Sequence, residues 1–204
     1  MGVDKPAPGE ELNLGAVTTP REAATVIVLR GGADALEVLL VKRNPAQRFM
    51  GGAWVFPGGA VDADEDSRGA GVREVLEEAA VTLPDAEALI EFSRWITPAQ
   101  VKIRFDTRFY LVASPADAVP EIDGEECVDI GWFSPHGALD AYEREEILLV
   151  FPTIKTLEQL SPFGSADELL GWAFGREVVP IEPRVVMEGE VARVVLPGEP
   201  GYEA

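Results

Sequence analysis

The stretch from Pro57 to Val81 constrains the fold of this chain more than any other part of the sequence. A short apolar strand, predicted over residues 53–56, is closed by Pro57-Gly58-Gly59, and an acidic loop then leads into a helix expected from about Ser67 to Val81. Glycines at such a junction allow the backbone to turn sharply and to approach a ligand closely. Pro84 is expected to help end the helix. The sequence therefore predicts a strand, a tight loop and a helix in immediate succession.

Three glutamates lie on one face of that helix. Glu78 follows Glu74 by four residues and Glu77 follows it by three, so the three carboxylates project from one side. Like charges at this spacing repel each other, and a hard divalent cation would relieve that repulsion. An all-oxygen site suits Mg²⁺ or Mn²⁺, and a main-chain carbonyl of the glycine loop can join it. The alternative, a solvated acidic face without a metal, is the usual explanation for a run of charges.

The segments around this unit predict a single α/β domain with a mixed sheet over residues 21–204. Residues 1–20, rich in Pro, Gly and acidic side chains, are expected to be a flexible lead-in. Strands are predicted over residues 23–30 and 36–43, which form a hairpin, and over 91–97, 104–114 and 130–133. Helices are predicted over 135–149, 153–160 and 166–174, and a second hairpin over 184–188 and 191–197.

The net charge of the chain disfavours some classes of binding partner. Asp and Glu number 36 against 17 Lys and Arg, a formal charge of −19, which gives no overall attraction to nucleic acid or to an anionic membrane. A polyanionic substrate would therefore need a metal or a local basic pocket. A single cysteine, Cys127, and a single histidine, His136, exclude an intramolecular disulfide and a histidine-rich zinc site. With no membrane span or signal-peptide pattern in the sequence, we expect a reduced, cytoplasmic location.

The residue spacing from Gly58 onward resembles the Nudix box. Gly59 is followed after five residues by Glu65, and after seven more by Arg73-Glu74-Val75-x-Glu77-Glu78-x-Ala80-Val81. So many charged and glycine positions at fixed offsets are a specific signal. One position departs from the family pattern, because Ala80 stands where the family usually has Gly. This departure affects the backbone geometry at the C-terminal end of the helix more than the helix face that carries the glutamates.

The resemblance implies a fold, a reaction and a set of site residues. The fold is an α/β/α sandwich with a mixed β-sheet, and the reaction is hydrolysis of a nucleoside diphosphate linked to another moiety. The implied metal ligands are Glu74, Glu77, Glu78 and the Gly58 carbonyl, with Mg²⁺ as the cofactor and Mn²⁺ as the alternative. Arg73 is expected to orient the carboxylates and Glu65 to pair with Arg73, which completes the predicted catalytic set. Which glutamate serves as the general base stays open.

Glu126 is a further candidate outside the box. It lies in an acidic loop six residues before Trp132, where many Nudix proteins carry an acid close to the metal cluster as an extra ligand or base. Glu121 and Glu125 are equally available in the same loop, so simple acidic decoration of the surface is the alternative.

Four arginines are candidate substrate ligands in this acidic chain, namely Arg43, Arg48, Arg104 and Arg108. Strand alternation places Arg104, Asp106 and Arg108 on one face, which could hold a diphosphate or a ribose 3′-phosphate through bidentate contacts. The alternative is Arg–Asp pairing within the sheet.

The substrate prediction depends on a second resemblance. Trp95-Ile-Thr-Pro98, followed by the run from Arg104 to Tyr110, is similar to the acyl-CoA diphosphatase subgroup of Nudix proteins, although a separate coenzyme A signature is missing. The predicted function is therefore Mg²⁺-dependent hydrolysis of a diphosphate bond in a nucleotide derivative, with CoA or acyl-CoA first. ADP-ribose, NADH, dinucleoside polyphosphates and oxidised nucleotides stay open, as do a nucleotide-binding regulatory module of Nudix fold, an unrelated domain with an acidic helix, and a homodimer.

Overall fold

The computed structural model describes residue 13, residues 15–188 and residues 191–202. The lead-in expected over residues 1–20 lies largely outside this range. The strands are β1 Arg21–Arg30, β2 Glu37–Arg43, β3 Ala53–Val55, β4 Gly58–Ala60, β5 Ile90–Ile96, β6 Phe105–Ala113, β7 Cys127–Phe133, β8 Leu148–Leu149, β9 Pro180–Ile181, β10 Arg184–Glu188 and β11 Val191–Val195. The helices are α1 Ser67–Ala79, α2 Pro135–Glu143, α3 Phe151–Leu160 and α4 Ala166–Ala173, with a single 3₁₀ turn at Ala86–Ala88.

A mixed sheet organises the domain around β1. The strand order is β8-β3-β2-β1-β6-β5-β9, with β4 paired to β1 and β7 to β2. β1 and β6 run parallel from the Arg21–Phe105 pair to the Leu29–Ala113 pair. The predicted hairpin of β1 and β2 is present, but it pairs only at Leu29 and Arg30 of β1, because β4 pairs with the first half of β1. This arrangement brings the Gly58-Gly59 segment into the sheet beside β1.

Two apolar cores cover the two faces of the sheet, because alternate residues of a strand point to opposite sides. On the α1 side the core includes Val26, Val28, Leu39, Val75 and Ala79. On the side of α2, α3 and α4 it includes Ile27, Leu40, Ala138, Leu157 and Leu169. Full burial of each such Val or Leu contributes about 1.5–3 kcal/mol. The layers are therefore helix, sheet and helices, as expected for an α/β/α sandwich.

The helix that carries the glutamates begins and ends by local backbone chemistry. The side chain of Asp66 accepts a hydrogen bond from the Gly69 N–H at 2.8 Å and caps the first turn. At the other end Ala80 adopts a left-handed conformation, with φ of 52°, and its N–H donates to the Leu76 carbonyl. The helix thus ends at Ala79, five residues before Pro84, so the expectation that this proline helps to end it is wrong. Ala80 occupies a backbone conformation that glycine adopts at lower cost.

Other predicted boundaries also shift. α2 ends at Glu143 and not at Leu149, because Glu145 takes a positive φ of 59° and the chain then enters β8. The Pro-Gly-Gly segment is not a sharp turn, since Gly58–Ala60 forms β4. The terminal hairpin is present as β10 and β11. No helix in the described part of the chain is long and apolar enough to cross a membrane.

Candidate active site

Gly58 and Gly59 allow β4 to lie against its neighbours without a side chain. Neither has a positive φ, so backbone freedom is not what selects glycine here. A Cβ at position 58 would lie 2.4 Å from the Ala24 carbonyl oxygen, and a Cβ at position 59 would lie 2.2 Å from Glu74 Oε1. Gly59 therefore allows β4 to approach Glu74 closely, and Gly58 allows β4 to lie against β1. The close approach of this backbone to a ligand or metal, which the sequence predicted, stays a prediction, and the segment is a strand rather than the predicted sharp turn.

Arg73 connects the loop, the strand and the acidic helix face. Its Nε and Nη2 donate to the two oxygens of Glu65 at 3.2 and 2.6 Å, and its Nη1 donates to Glu74 at 2.7 Å and to Glu77 at 3.0 Å. Nη2 also donates to the Ala60 carbonyl at 3.0 Å. All five N–H groups of the guanidinium therefore have an acceptor. The hydrogen bonds that Arg73 donates to Glu65 lower the pKa of Glu65, and the same bonds above all raise the pKa of Arg73 well beyond its ordinary range.

Glu78 is the most buried of the helix carboxylates, with 3% of its surface exposed. Its Oε2 accepts a hydrogen bond from the Gly58 N–H at 3.0 Å, and its Oε1 lies 3.5 Å from Arg43 Nη1. Burial raises the pKa of Glu78 to about 7, and the charge of Glu74 acts in the same direction against the Gly58 hydrogen bond. A carboxyl group with this pKa is half protonated near neutral pH.

Glu74 and Glu77 differ in exposure. Burial raises the pKa of Glu74 despite its hydrogen bond to Arg73, whereas the Glu77 side chain is 58% exposed. Among the described residues, no three Asp, Glu, His or Cys side chains already converge as a closed set of metal ligands. The structure thus places Glu74 and Glu78 against β4 and leaves Glu77 at the edge of the cluster, held to it by Arg73.

The two more buried carboxylates face a cavity of about 440 Å³. Its polar end is lined by Arg43, Gly58, Gly59, Glu74, Glu78 and Glu126. Glu126 belongs to this lining because the Asn44 N–H donates to its carbonyl at 2.8 Å and fixes the loop at the end of β2. Its charge contributes to the raised pKa of both Glu74 and Glu78. Glu121 and Glu125 do not line the cavity. Of the three acids that were equivalent candidates in the sequence, Glu126 is therefore the one that the structure places at the cavity.

Mostly apolar side chains line the rest of the cavity, and the sequence did not predict this part. The contributing residues include Phe49, Met50, Trp95, Pro98, Val101, Phe105, Phe109, Phe151, Pro183, Val185 and Val194. They come from two loops, two strands, the start of a helix, and the terminal hairpin with the residue just before it. The polar exceptions are Arg21, Thr25, Thr97, Thr107 and Thr153. The alternation of β6 was the available signal, since Phe105, Thr107 and Phe109 share one face.

The four candidate arginines fall into different places. Arg43 lines the cavity, and its buried Nε lacks a hydrogen-bond partner. Arg48 is exposed and lies outside the lining. Arg104 and Arg108 lie on the face of β6 opposite Phe105 and Phe109, away from the cavity.

Each member of that opposite face has a partner within the protein. Arg104 Nη2 lies 2.6 Å from Glu182, Arg108 Nη1 lies 2.9 Å from Glu91, and Asp106 pairs with Arg94. Pairing within the sheet, the alternative to phosphate binding, is the arrangement observed.

Cys127 lies behind the carboxylate cluster at the start of β7. Its side chain is fully buried. Burial, followed by the nearby charge of Glu78, raises the pKa of this thiol well above its usual range. The thiol is therefore neutral at physiological pH and is a poor nucleophile.

A family model described as the NUDIX domain matches residues 19–154, which contain the polar end of the cavity and the whole acidic helix. The chain belongs to the NUDIX family. The match confirms the prediction of a Nudix diphosphate hydrolase, and it ends within α3, before α4 and the terminal hairpin.

Named relatives agree with this assignment. A Caenorhabditis elegans protein provisionally named nudix hydrolase 7 is 27% identical over 85% of this chain and 71% of its own length. The acyl-coenzyme A diphosphatase NUDT19 of Homo sapiens is 30% identical over 58% of this chain. That match takes in only 33% of the human protein's length.

The fold is that of solved Nudix proteins. The NUDIX hydrolase from Alicyclobacillus acidocaldarius superimposes with a TM-score of 0.68 at 26% identity, covering 76% of this chain and 97% of that structure. The predicted Nudix sandwich is therefore confirmed.

Proposed function

We propose that this Nudix hydrolase cleaves a diphosphate bond in a nucleotide derivative in a reaction that requires Mg²⁺, with CoA or acyl-CoA as the preferred substrate. The observation that carries the proposal is the cavity itself. Buried carboxylates and one arginine form one end, and an extended apolar lining forms the other. A diphosphate with an apolar substituent matches both ends.

The donor chemistry of the polar end fits a hard divalent cation. Glu74, Glu77 and Glu78, the Gly58 carbonyl and Glu126 offer only oxygen, which Mg²⁺ and Mn²⁺ prefer. Burial has raised the pKa of Glu74 and Glu78, so these groups carry unfavourable negative charge that a cation would stabilise. When bound, Mg²⁺ supplies neutralisation of charge on the phosphoryl oxygens and activation of water.

The remaining polar residues have positioning roles in this proposal. Arg73, fixed by Glu65, holds Glu74 and Glu77 toward the cluster. Arg43 lines the cavity beside Glu78, and in this proposal its guanidinium binds a phosphoryl oxygen. Glu74, Glu78 and Glu126 are the candidates for the proton acceptor, because each lines the cavity. Arg104 and Arg108 are proposed to stabilise the sheet.

Two observations support the choice of substrate. Apart from Arg21 and threonine hydroxyls, the cavity beyond its polar end is lined by apolar groups, which suit an apolar substituent better than a polyhydroxylated one. In addition, the human relative is named an acyl-coenzyme A diphosphatase. A cytoplasmic location belongs to the proposal, because the single cysteine is free and buried.

A substrate panel tests the proposal. CoA, hexanoyl-CoA, ADP-ribose, NADH and a dinucleoside polyphosphate are incubated with the protein and Mg²⁺, and the products are separated by chromatography. We expect cleavage of CoA and hexanoyl-CoA to two phosphate-bearing or nucleotide products, and loss of cleavage in EDTA. Cleavage of ADP-ribose alone would overturn the substrate, and nucleotide binding without cleavage of any member would indicate a regulatory module.

A further inference from the structure

The terminal hairpin forms one wall of the cavity although it lies outside the region matched by the family. Pro183, Val185 and Val194 line the cavity, whereas the family match ends at residue 154. Val185 and Val194 are a cross-strand pair of β10 and β11, so their side chains share one face of the hairpin. This wall is therefore specific to the C-terminal part of this chain.

Contacts on three sides hold the hairpin in place. Just before it, β9 pairs in parallel with Arg94 and Trp95 of β5. Arg104, only 7% exposed, donates to the carbonyls of Thr97 and Thr18 and binds Glu182 at 2.6 Å. The Tyr202 hydroxyl donates to the Glu182 carbonyl at 2.9 Å. The buried guanidinium of Arg104 thus holds together the loop at Thr97, which lines the cavity, and the segment at Glu182, which precedes the hairpin.

The chemistry of this end of the cavity selects its occupant. The hairpin wall is apolar, and Pro98, Val101 and aromatic rings line the same cavity. Arg21, which pairs with Phe105, and the hydroxyls of Thr97 and Thr107 are polar groups in this lining. Recognition of a nucleobase edge or a sugar requires directed donors and acceptors, because their polar groups would otherwise be left unpaired on burial. A pantetheine-like arm has few polar groups, two amides and a hydroxyl, to which Arg21, Thr97 and Thr107 can hydrogen-bond, and it gains by burial of its methyl and methylene groups.

We propose that the hairpin β10–β11 is the specificity wall for an uncharged, largely apolar arm such as pantetheine attached to the substrate diphosphate, with Val185 and Val194 in contact with the arm and Arg104 positioning the wall. The proposal rests on the diphosphate hydrolase function proposed above and extends it to residues outside the family domain.

A matched pair of probes isolates the arm. Dephospho-CoA and ADP-ribose share the adenosine diphosphate half and differ in the second half, which is a pantetheine arm in one and a hydroxylated ribose in the other. Dissociation constants are measured by calorimetry in EDTA, so that no turnover occurs. We expect the wild-type protein to bind dephospho-CoA at least about tenfold more tightly than ADP-ribose, since each buried methylene contributes up to about fourfold.

The test variant replaces both valines by a residue of the same shape. The double substitution Val185→Thr with Val194→Thr keeps the β-branched side chains and should fold, which thermal unfolding checks. We expect it to weaken dephospho-CoA at least about fivefold and to change ADP-ribose less than about twofold, because two hydroxyls would be buried without partners. The control is Val186→Thr, at the neighbouring hairpin position outside the cavity lining, for which neither affinity should change.

Equal losses for both probes, or equal effects of the test and control variants, would overturn the wall proposal. Failure of the proposed function has a different signature, since it would appear as the absence of Mg²⁺-dependent cleavage of either probe by the wild-type protein.

Glu182→Ala tests the positioning part of the proposal at a residue that is itself 44% exposed in its side chain. Loss of the Arg104 contact should raise KM for dephospho-CoA at least about threefold, leave its kcat within about twofold, and leave ADP-ribose unchanged. The exposed Glu177→Ala is the matched control. A parallel fall in kcat on both probes would show that the contact supports the whole fold and would overturn its role in specificity.

Discussion

The two ends of the cavity are built in opposite ways. The polar end takes four of its six residues from the continuous stretch Gly58–Glu78, where one helix face and one short strand place the carboxylates. The apolar end collects side chains from Phe49 to Val194, which no local pattern connects. In the proposed reaction, bond-breaking chemistry therefore depends on a compact local unit, whereas the proposed fit to the rest of the substrate depends on how distant segments are assembled.

If the polar end carries the chemistry, loss of one of its buried carboxylates should have the largest effect on turnover. Glu78→Gln should lower turnover at least about a hundredfold, because the charge next to the reacting groups is removed while the Gly58 hydrogen bond can persist. The measurement is kcat on the best substrate of the panel, with circular dichroism as a check of the fold. Glu143→Gln, on the exposed part of α2, should leave kcat unchanged. A Glu78 variant with more than half the wild-type activity would remove this site from the reaction.

A second prediction contrasts an arginine that lines the cavity with one that does not. Arg43→Ala should raise KM about ten- to a hundredfold through loss of a charge-assisted contact of about 1.5–3 kcal/mol. Arg108→Ala should change KM less than about threefold, since Arg108 pairs with Glu91 on the other face of the sheet. Steady-state kinetics on one substrate suffices. The reverse ranking would show that the substrate approaches the opposite face of β6.

Proton linkage gives a third prediction, again confined to the polar end. The folded state raises the pKa of Glu78 from 4.5 to about 7, so between these values the folded protein binds more protons than the unfolded chain. The contribution of Glu78 to stability is thus fully present below about pH 4.5 and is lost as the pH rises through about 7 in the absence of metal.

A cation competes for the deprotonated form, so the rise in Tm produced by Mg²⁺ should grow from about pH 5 to about pH 8. Thermal unfolding in EDTA and in millimolar Mg²⁺ measures both effects, and Glu78→Gln should flatten them. A Mg²⁺ shift that is independent of pH would contradict the assignment of Glu78 as a ligand.

The smallest predicted effect concerns the end of α1. Ala80→Gly should stabilise the protein by about 1 kcal/mol, because glycine adopts the left-handed conformation without the cost that alanine pays. For a chain of this size that corresponds to a rise in Tm of about 2–4 °C. Ala79→Gly, one residue inside the helix, should destabilise by a similar or larger amount. If both variants lose stability, the left-handed end of the helix is not the origin of the effect.

The sequence predicted features whose information is local. The strands, the helix that begins at Ser67, and the terminal hairpin follow from alternation and helical spacing within single segments. The end of α2 was predicted six residues too late. The helix ends next to Glu145, whose backbone has a positive φ, and a glutamate is not one of the residue types that mark a turn in a sequence. The Gly58 segment was expected to be a turn. It forms a strand because it pairs with β1, and this tertiary contact leaves no local pattern in the sequence.

The same limit applies to the site. Alternation showed that β6 has two different faces but not that the face of Phe105 and Phe109 meets the cavity. That choice depends on which helices cover each face. Glu126 could not be separated from Glu121 and Glu125, because the distinction comes from the contact between its loop and Asn44. Nothing in the sequence indicated that the hairpin lines the cavity. The loop of Pro98 and Val101, which lines the cavity with it, lies about eighty or more residues earlier in the chain.

The burial of Cys127 makes the single thiol of this chain a built-in reporter of motion. A thiol that is both covered and protonated reacts with an alkylating reagent only while the surrounding strand transiently opens. The labelling rate therefore measures the opening frequency of the β2–β7 pair, immediately behind the carboxylates, in the unmodified protein. Tightening of this edge by substrate or cation would be recorded as slower labelling, without a probe being attached anywhere in the cavity.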